Sequence, residues 1–313
     1  MEERVNCTEW LLDSDPAIRW QVMRDLADAP MAAVTAERSR VAREGLGAKI
    51  LAVQGSDGAW RRAGSPDWLP TLFTLQLLRA TGVDPADNAV KSMVARLQSG
   101  FRWDAEFGAK PFFEGEVEPC INGGALALSA YFGHPSQGLA QRLVGEQLED
   151  GGWNCEAPKS KRSSFHTTIC VLEGLLEYER DASAPVDFLP QVAAARRRGE
   201  EYLLDRALFR RRSTSAVANP AFLELAFPPR YHYDVLRALD YFRSASLLHG
   251  TNPGPRINDA IDYLKSRQHR DGRWRLDRAY DESLSLPFHE APGQPSRWNT
   301  LRALRVLRWH ERA

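Results

Sequence analysis

Apolar residues recur along most of this chain with the spacing of α-helices. Leucines and a phenylalanine occupy nearly every side of the segment near 68 to 81, which predicts a helix that is buried all round. Other segments with helical periodicity lie near 39–54, 90–97, 121–132, 139–148, 163–176, 231–242, 257–264 and 298–309. Loops separate these segments, and the pattern predicts an all-α protein.

One seven-residue stretch, from Gln147 to Trp153, returns in altered form between these helical segments. Its copies run from Gln54 to Trp60, from Gln268 to Trp274 and, without the aspartate, from Gln98 to Trp103. Asp-Gly favours a tight turn, because glycine adopts positive φ without strain. Tryptophan brings a large apolar face and one N–H donor, which suits a wedge between stacked units. The recurrence predicts a repeat architecture.

The pattern Gln-x-x-Asp-Gly-x-Trp resembles the QW repeat of squalene and oxidosqualene cyclases and of protein prenyltransferase β subunits. The resemblance covers roughly residues 44 to 309 and includes single-domain squalene-cyclase-like bacterial proteins. It implies an α/α toroid, in which inner helices surround a central cavity and outer helices cover them. We therefore expect one domain over 1–313. Residues 39–313 would form about five helix pairs, an incomplete α6/α6-type barrel, and residues 1–38 an N-terminal cap with a capping helix.

Composition narrows the function classes. Lys+Arg and Asp+Glu are both 41, so the formal net charge is zero and nothing favours nucleic acid as a partner. Seven arginines lie between 196 and 212, interspersed with acids, and we interpret them as a solvated outer face. No apolar run is long enough for an integral membrane segment. The four cysteines have no paired spacing, and we expect a cytoplasmic protein. The sequence leaves the oligomeric state open.

Polar and aromatic residues gather where the inner helices of such a toroid would begin, whereas the later turns read as mostly apolar. If the inner helices surround a cavity, these ends converge at one mouth, where free backbone N–H groups also lie. The resulting candidate ligand-binding and catalytic residues are Trp68, Cys120, Asn122, His166, Tyr231, His232, Tyr233, Asp234, Trp298 and Asn299.

The first interpretation is acid-initiated chemistry on an isoprenoid-like apolar substrate. Asp234 would be a carboxylic acid with a raised pKa, and His232 and His166 would be its polar partners. The aromatic residues of the set would offer π-faces to a carbocation. This resembles the class II terpene cyclases, which protonate an olefin with an aspartic acid. Their Asp-x-Asp-Asp motif is absent here, since the candidate reads Tyr-His-Tyr-Asp.

Two alternatives remain open. Cys120, His166, His232 and Asp234 are all zinc-ligand types, so a zinc-dependent prenyltransferase-like enzyme is the second interpretation, with zinc as its cofactor. The prenyltransferase β subunits have an Asp-x-Cys pair, where this chain has Glu118-Pro119-Cys120. The third interpretation is a toroid without catalysis that binds a small apolar ligand or serves as an interaction surface.

Overall fold

The computed structural model describes residues 7–312, and the part of the chain that it describes is helical, with isolated bridges in place of strands. Within this range there are thirteen α-helices. They are α1 Cys7–Leu12, α2 Pro16–Asp25, α3 Met31–Ser39, α4 Gly45–Ala52, α5 Trp68–Thr81, α6 Asn88–Gly100, α7 Pro119–Tyr131, α8 Gln137–Gly145, α9 Phe165–Arg180, α10 Leu189–Leu204, α11 Val235–His249, α12 Asn258–Ser266 and α13 Arg297–Arg312.

Five outer helices alternate with five inner helices, which confirms the α/α-toroid class. The outer helices are α4, α6, α8, α10 and α12, and the inner helices are α5, α7, α9, α11 and α13. Helix α5 has the bounds that its apolar pattern predicts. Helix α11 begins at Val235, four residues later than expected, because the Asp234 side chain caps it by accepting from the Arg237 N–H at 2.8 Å.

Helix α2 completes the inner ring, although the sequence pattern predicted that this segment covers the ring as a cap. Its Trp20 indole donates to the Thr81 carbonyl of α5 at 2.8 Å, and the Gln21 amide accepts a hydrogen bond from Arg305 of α13 at 2.9 Å. The predicted start signal of α2 is confirmed, since Asp15 Oδ1 accepts from the Ala17 N–H at 2.9 Å. Contacts therefore run around the ring from α13 through α2 to α5.

The three complete motif copies fold alike. In each copy the tryptophan is fully buried, and its indole N–H donates to a carbonyl of its own outer helix, ten residues earlier, at 2.6 to 2.8 Å. Its backbone N–H donates to a threonine in the first turns of the inner helix at 3.0 to 3.1 Å. The tryptophans are Trp60, Trp153 and Trp274, and the threonines are Thr71, Thr168 and Thr300. One side chain thus joins both helices of a pair.

The glutamine of the motif links one pair to the next. Gln147 donates to the Gly151 carbonyl within its own turn and to the Ala195 carbonyl on the following outer helix, at 2.6 and 2.7 Å. The incomplete copy differs, because the Trp103 indole donates to Phe112 in the following loop and stacks on that ring at 5.2 Å. Without the Asp-Gly turn, this tryptophan is held by its loop and not by an outer helix.

The apolar interior is continuous from α1 to α13 among the described residues. Helices α7 and α9 approach most closely, since a Cβ on Gly123 would lie 2.4 Å from the Cys170 carbonyl oxygen. A Cβ on Gly174 would lie 2.5 Å from the Gly123 carbonyl oxygen. Within residues 7–312, none of the helices combines the length and the apolar character that crossing a bilayer requires.

Candidate functional site

A cavity of about 700 Å³ lies inside the ring and is lined by all six inner helices, by Arg38 of α3 and by the 227–230 loop. Its volume falls within the range of about 300–1,000 Å³ that is usual for small-molecule sites. Each inner helix presents a stripe at helical spacing, such as Arg237, Asp240, Tyr241 and Ser244 on α11. Small residues on α7, namely Gly124 and Ala127, leave room at the centre. The cavity therefore lies at the middle and later turns of most inner helices.

Positive charge dominates this cavity. Among the described residues that line it, the arginines are Arg24, Arg38, Arg79, Arg180, Arg230, Arg237, Arg243, Arg302 and Arg305, and the carboxylates are Asp25, Glu173, Glu177 and Asp240. Nine guanidinium groups face four carboxylates, although the chain as a whole has no net charge. Excess charge of one sign inside a concave, low-dielectric wall attracts ligands of the opposite sign.

Two aspartates hold the arginines on the wall formed by α2, α11 and α13. Asp240 accepts from Arg305 Nε at 2.8 Å and from Arg243 Nε at 3.3 Å, and Asp25 lies 3.4 Å from Arg243 Nη2. Burial opposes ionisation of Asp240, but the charges of Arg305 and Arg243 outweigh it and lower its pKa. Burial and the neighbouring charge of Arg305 lower the pKa of Arg243 to about 10. The aspartates are thus ionised ion-pair partners and cannot donate protons near neutral pH.

The carboxylates of α9 hold further arginines in the same way. Arg237 of α11 binds Glu173 with two hydrogen bonds of 2.8 Å each, and Arg79 binds Glu177 at 2.9 Å. Arg38 has no carboxylate partner among the described residues, and it donates to the Gly82 carbonyl at 2.8 Å. Its charge is therefore not neutralised by a local acid.

Aromatic and aliphatic side chains cover the rest of the lining. Phe227 and Trp298 stack with centroids 4.5 Å apart and planes 11° apart. The Arg230 guanidinium lies over the Phe73 ring, 4.6 Å from its centroid. Leu77, Leu176, Leu284 and Leu301 also contact the cavity. The site thus offers apolar surface beside its charges, which suits a ligand with an anionic and an apolar part.

Of the ten residues singled out from the sequence, Trp298 lines the cavity. Most of the others are used by the fold itself. The Asn122 side chain exchanges two hydrogen bonds with the backbone of Glu116, at 2.8 and 3.2 Å. Asn299 donates to the Leu225 and Arg275 carbonyls at 3.0 and 3.2 Å. These amides fix loops against helix ends.

Two predicted aromatic residues also belong to packing clusters. Tyr233 is buried against Phe165 and Phe222, and its hydroxyl donates to the Leu208 carbonyl. Trp68 packs on Trp103 with centroids 5.9 Å apart, away from the cavity lining. Tyr231 is the most exposed of the set, at 36%, and lies beside Arg230. None of the three lines the central cavity.

The predicted acid and its imidazole partners differ from the expected arrangement. Asp234 is buried, which raises its pKa even though the Arg302 charge acts against this. Its side chain accepts a hydrogen bond from the Arg237 N–H, however, and bonds to neither imidazole. His166 Nδ1 accepts from the Tyr233 N–H at 2.9 Å, and the His232 ring stacks on Tyr280 with centroids 3.6 Å apart. One oxygen, Oδ1, caps the helix, and the other, Oδ2, is buried without a hydrogen-bond partner among the described residues.

Both histidines are neutral near pH 7. Burial, together with repulsion from His166 when that ring is protonated, lowers the pKa of His232 to about 3, and burial with the charge of Arg237 lowers the pKa of His166. The two rings meet edge to face with centroids 5.8 Å apart. They act as a packed aromatic pair near the loop that carries Arg230, outside the cavity lining.

The ligand set of the zinc interpretation is not assembled. Among the described residues, the group whose ligand atoms all lie within 4.8 Å of one another is Glu118, Cys120 and Cys155. His166, His232 and Asp234 do not join Cys120, since they cap or pack at the start of α9 and α11. A hydrogen bond between the two thiols, together with burial, raises the pKa of Cys120, and the same bond lowers the pKa of Cys155.

The cavity arginines were missed, although the sequence carries a signal for them. Charged residues recur at spacings of three and four within helices that are otherwise apolar, as at Glu173, Glu177 and Arg180 of α9. A buried helix does not choose such residues unless they meet partners or a ligand. The expectation that later turns are mostly apolar was wrong for this reason. Cys155 was likewise missed, because only the fold brings its loop beside Cys120.

Comparison with known proteins supports the fold but indicates no activity. No protein-family model matches the sequence, and no curated protein is significantly similar to it. Among solved structures, a glycosyl hydrolase family 88 protein from Bacteroides vulgatus aligns with 99% of this chain and 96% of its own, with a TM-score of 0.54 and 12% identity. A protein from Actinoplanes aligns with 95% of this chain and 90% of its own, with a TM-score of 0.47 and 16% identity. The type II terpene cyclase MstE from Scytonema aligns with 92% of this chain and 85% of its own, with a TM-score of 0.46 and 17% identity. The first of these similarities supports the α/α-toroid fold.

Proposed function

We propose that this toroid binds a small organic anion with an apolar portion in its central cavity. The observation that carries the proposal is the excess of arginine, with nine guanidinium groups against four carboxylates in the lining, among the described residues. The sequence led us to expect an isoprenoid-like ligand, and the cavity favours one that also has an anionic group. A wholly apolar ligand would leave these guanidinium groups without an anionic partner. Glycosyl and isoprenoid phosphates or carboxylates both have the required chemistry.

The cost of burying charge explains why the cavity would bind an anion. A buried charge is costly unless it is paired and hydrogen-bonded. Asp25 and Asp240 each hold several arginines, so the acids already have more partners than they can neutralise. An anion that enters the cavity would accept hydrogen bonds from the guanidinium groups left over, and planar arginine forks match phosphate and carboxylate oxygens well.

The apolar part of the ligand would lie against the Phe227–Trp298 stack and the leucines beside it. Aromatic faces also tolerate nearby cations, as the position of Arg230 over Phe73 shows. This arrangement supports ligand binding more directly than it supports catalysis. The carboxylates of the lining are paired with arginines, so the cavity itself offers no group poised to donate a proton.

Acid-initiated conversion of an isoprenoid-like substrate remains a second candidate. Burial raises the pKa of Asp234, which favours the protonated form that such a reaction needs. Asp234 itself does not line the cavity, whereas Arg237 and Arg302, whose charges act on its carboxyl, do. For this role the Asp234 carboxyl would have to reach the cavity. Loss of polyprene turnover in the variant Asp234→Asn, with anion binding unchanged, is the result that supports this candidate.

The experiment that tests the binding proposal compares four ligands by calorimetry. Farnesyl diphosphate and a hexose phosphate carry the anion, whereas farnesol and the free hexose are their neutral counterparts. We expect both anionic ligands to bind more tightly than their neutral counterparts, and farnesyl diphosphate to bind most tightly if the apolar wall contributes. Equal affinity for charged and neutral members of each pair would contradict the proposal.

Two cavity variants sharpen this test. In Arg302→Met, Asp240 keeps its ion pairs with Arg305 and Arg243. In Arg38→Met, every carboxylate keeps its partners, because Arg38 pairs with none of them among the described residues. Each should weaken anion binding roughly 10- to 100-fold, because a hydrogen bond to a charged group is worth about 1.5–3 kcal/mol. The matched control is Arg211→Met, which removes an exposed arginine from the outer face and should leave the affinity unchanged.

A further inference from the structure

The start of α7 brings two thiols and a carboxylate together on the rim of the ring. Glu118 immediately precedes the helix, Cys120 is in its first turn, and Cys155 lies in the loop that leads to α9. The close approach of α7 and α9 at Gly123 and Gly174 places that loop beside the first turn of α7. These three residues line no part of the central cavity.

The spacing of the ligand atoms matches a tetrahedral metal ion. All three lie within 4.8 Å of one another, and Cys120 Sγ is 3.5 Å from the Glu118 carboxylate. In tetrahedral zinc sites the metal–sulfur bond is about 2.3 Å, so neighbouring sulfur ligands lie roughly 3.8 Å apart. The three atoms are therefore close enough together to be ligands of one ion.

The surroundings of the cluster are those of a site that has access to solvent. Cys120 is buried, Cys155 is half-buried and Glu118 is exposed, so one side of the cluster is open. Thr167 Oγ1 lies 3.4 Å from Cys155 Sγ and is placed to orient it, as outer-shell groups orient metal ligands. Two thiolates, one carboxylate and a divalent cation have a net charge of −1, which the positive N-terminal end of the α7 dipole favours.

We propose that Glu118, Cys120 and Cys155 bind a zinc ion whose fourth position is open to water or to an exchangeable ligand. Thiolate ligands select zinc over magnesium and calcium, which prefer oxygen. Three protein ligands with one open position are typical of catalytic rather than structural zinc sites. Binding replaces the two thiol protons, which are released to solvent.

The test uses the reduced, metal-free full chain titrated with Co²⁺ and with Zn²⁺. One equivalent of Co²⁺ should give a tetrahedral d–d spectrum and a sulfur-to-cobalt charge-transfer band with the strength of two thiolates. One equivalent of Zn²⁺ should abolish both. Addition of a small thiol should shift the cobalt spectrum, because it enters the fourth position.

Variants assign the ligands. Cys155→Ser and Cys120→Ser should each halve the charge-transfer band and weaken binding, and the double variant should not bind. Glu118→Gln should weaken binding at least as much as the roughly 10- to 100-fold that the loss of an outer-shell partner costs. Cys170→Ser is the matched control, since this buried thiol is close enough to act electrostatically on Cys120 but is not one of the three clustered residues. Thermal melts of each variant separate lost binding from lost folding.

The proposal is overturned if the reduced wild-type chain binds no Co²⁺, or if it binds equally well in the double cysteine variant. Formation of a Cys120–Cys155 disulfide in air, combined with no metal uptake after reduction, would likewise identify the pair as a redox couple and not a metal site.

Discussion

The two levels of the inner helices make opposite use of polar residues. At the N-terminal ends, Asn122, Asp234 and Asn299 hydrogen-bond to backbone groups and hold loops in place. In the middle and later turns, arginines such as Arg237 and Arg305 face the cavity and bind carboxylates on neighbouring helices. Polar residues at a helix end already have backbone groups to satisfy, whereas a charge in the middle of a buried helix requires a partner or a ligand. A charged residue in the middle of a buried helix is therefore the better indicator of a ligand-binding site.

The largest effect on stability is expected at a motif tryptophan. Trp153 is fully buried, donates to the Leu143 carbonyl and contacts α10 at Gly199. The variant Trp153→Ala should lose about 3–5 kcal/mol of unfolding free energy, as large aromatic truncations in cores do. Urea unfolding measures this change.

Gly199→Ala tests the same contact from the other side. Its Cβ would lie 2.7 Å from the Trp153 ring, so overpacking should cost about 1–3 kcal/mol. A loss below about 1 kcal/mol in both variants would show that the motif does not hold the pairs together.

An intermediate effect is expected at Asn122, which represents the helix-end level. Asn122→Ala removes both hydrogen bonds to the Glu116 backbone and leaves buried groups unsatisfied, so it should cost about 1–3 kcal/mol of unfolding free energy. Affinity for the anionic ligands should stay unchanged, in contrast to Arg302→Met. If Asn122→Ala weakened anion binding as much as Arg302→Met does, the distinction between the two levels would be lost.

The smallest effect is a pH dependence at Asp234. Burial raises its folded pKa above the unfolded value of about 3.9, so the folded chain holds a proton that the unfolded chain releases. The stabilisation that the folded chain gains from protonated Asp234 is fully present below about pH 4, and it is lost as the pH rises through the raised folded pKa. An asparagine at this position cannot ionise, and asparagine caps a helix as well as aspartate does.

We therefore expect Asp234→Asn to match the wild type in unfolding free energy near pH 4 and to become relatively more stable as pH rises. Urea unfolding at a series of pH values measures the difference. Asp234→Ala, which also lacks the cap, should be about 1 kcal/mol less stable than Asp234→Asn at every pH. A constant difference between aspartate and asparagine across the series would mean that burial does not perturb this carboxyl.

Much of the fold could be predicted because its determinants are local. The apolar periodicity of α5 and the repeated Asp-Gly turn are properties of short segments, and each recurs under the same physical constraint. The inner position of α2 could not be predicted in this way. It depends on hydrogen bonds from Trp20 to Thr81 and from Arg305 to Gln21, which join residues far apart in sequence.

The candidate site could be predicted only in part. Trp298 was identified because it lies at the start of a predicted inner helix, and in the structure it lines the cavity. The arginines were missed because a helix-by-helix inspection shows a charge without showing what it faces. Nine separate positions become one electropositive lining, in the described part of the chain, only after the ring closes.

The arginine-lined interior of the ring is the surface that we propose as functional. The most direct measurement is a crystal soaked with tungstate, with the bound anion located by its anomalous scattering. We expect tungstate to occupy the cavity within hydrogen-bonding distance of arginines from α2, α11 and α13. The expectation that the arginines between 196 and 212 form a solvated face is wrong for Arg196, which is buried and paired with Glu179 and Glu200. An empty cavity, with tungstate bound instead at the exposed arginines of this segment, Arg197, Arg198, Arg211 and Arg212, would contradict the proposal.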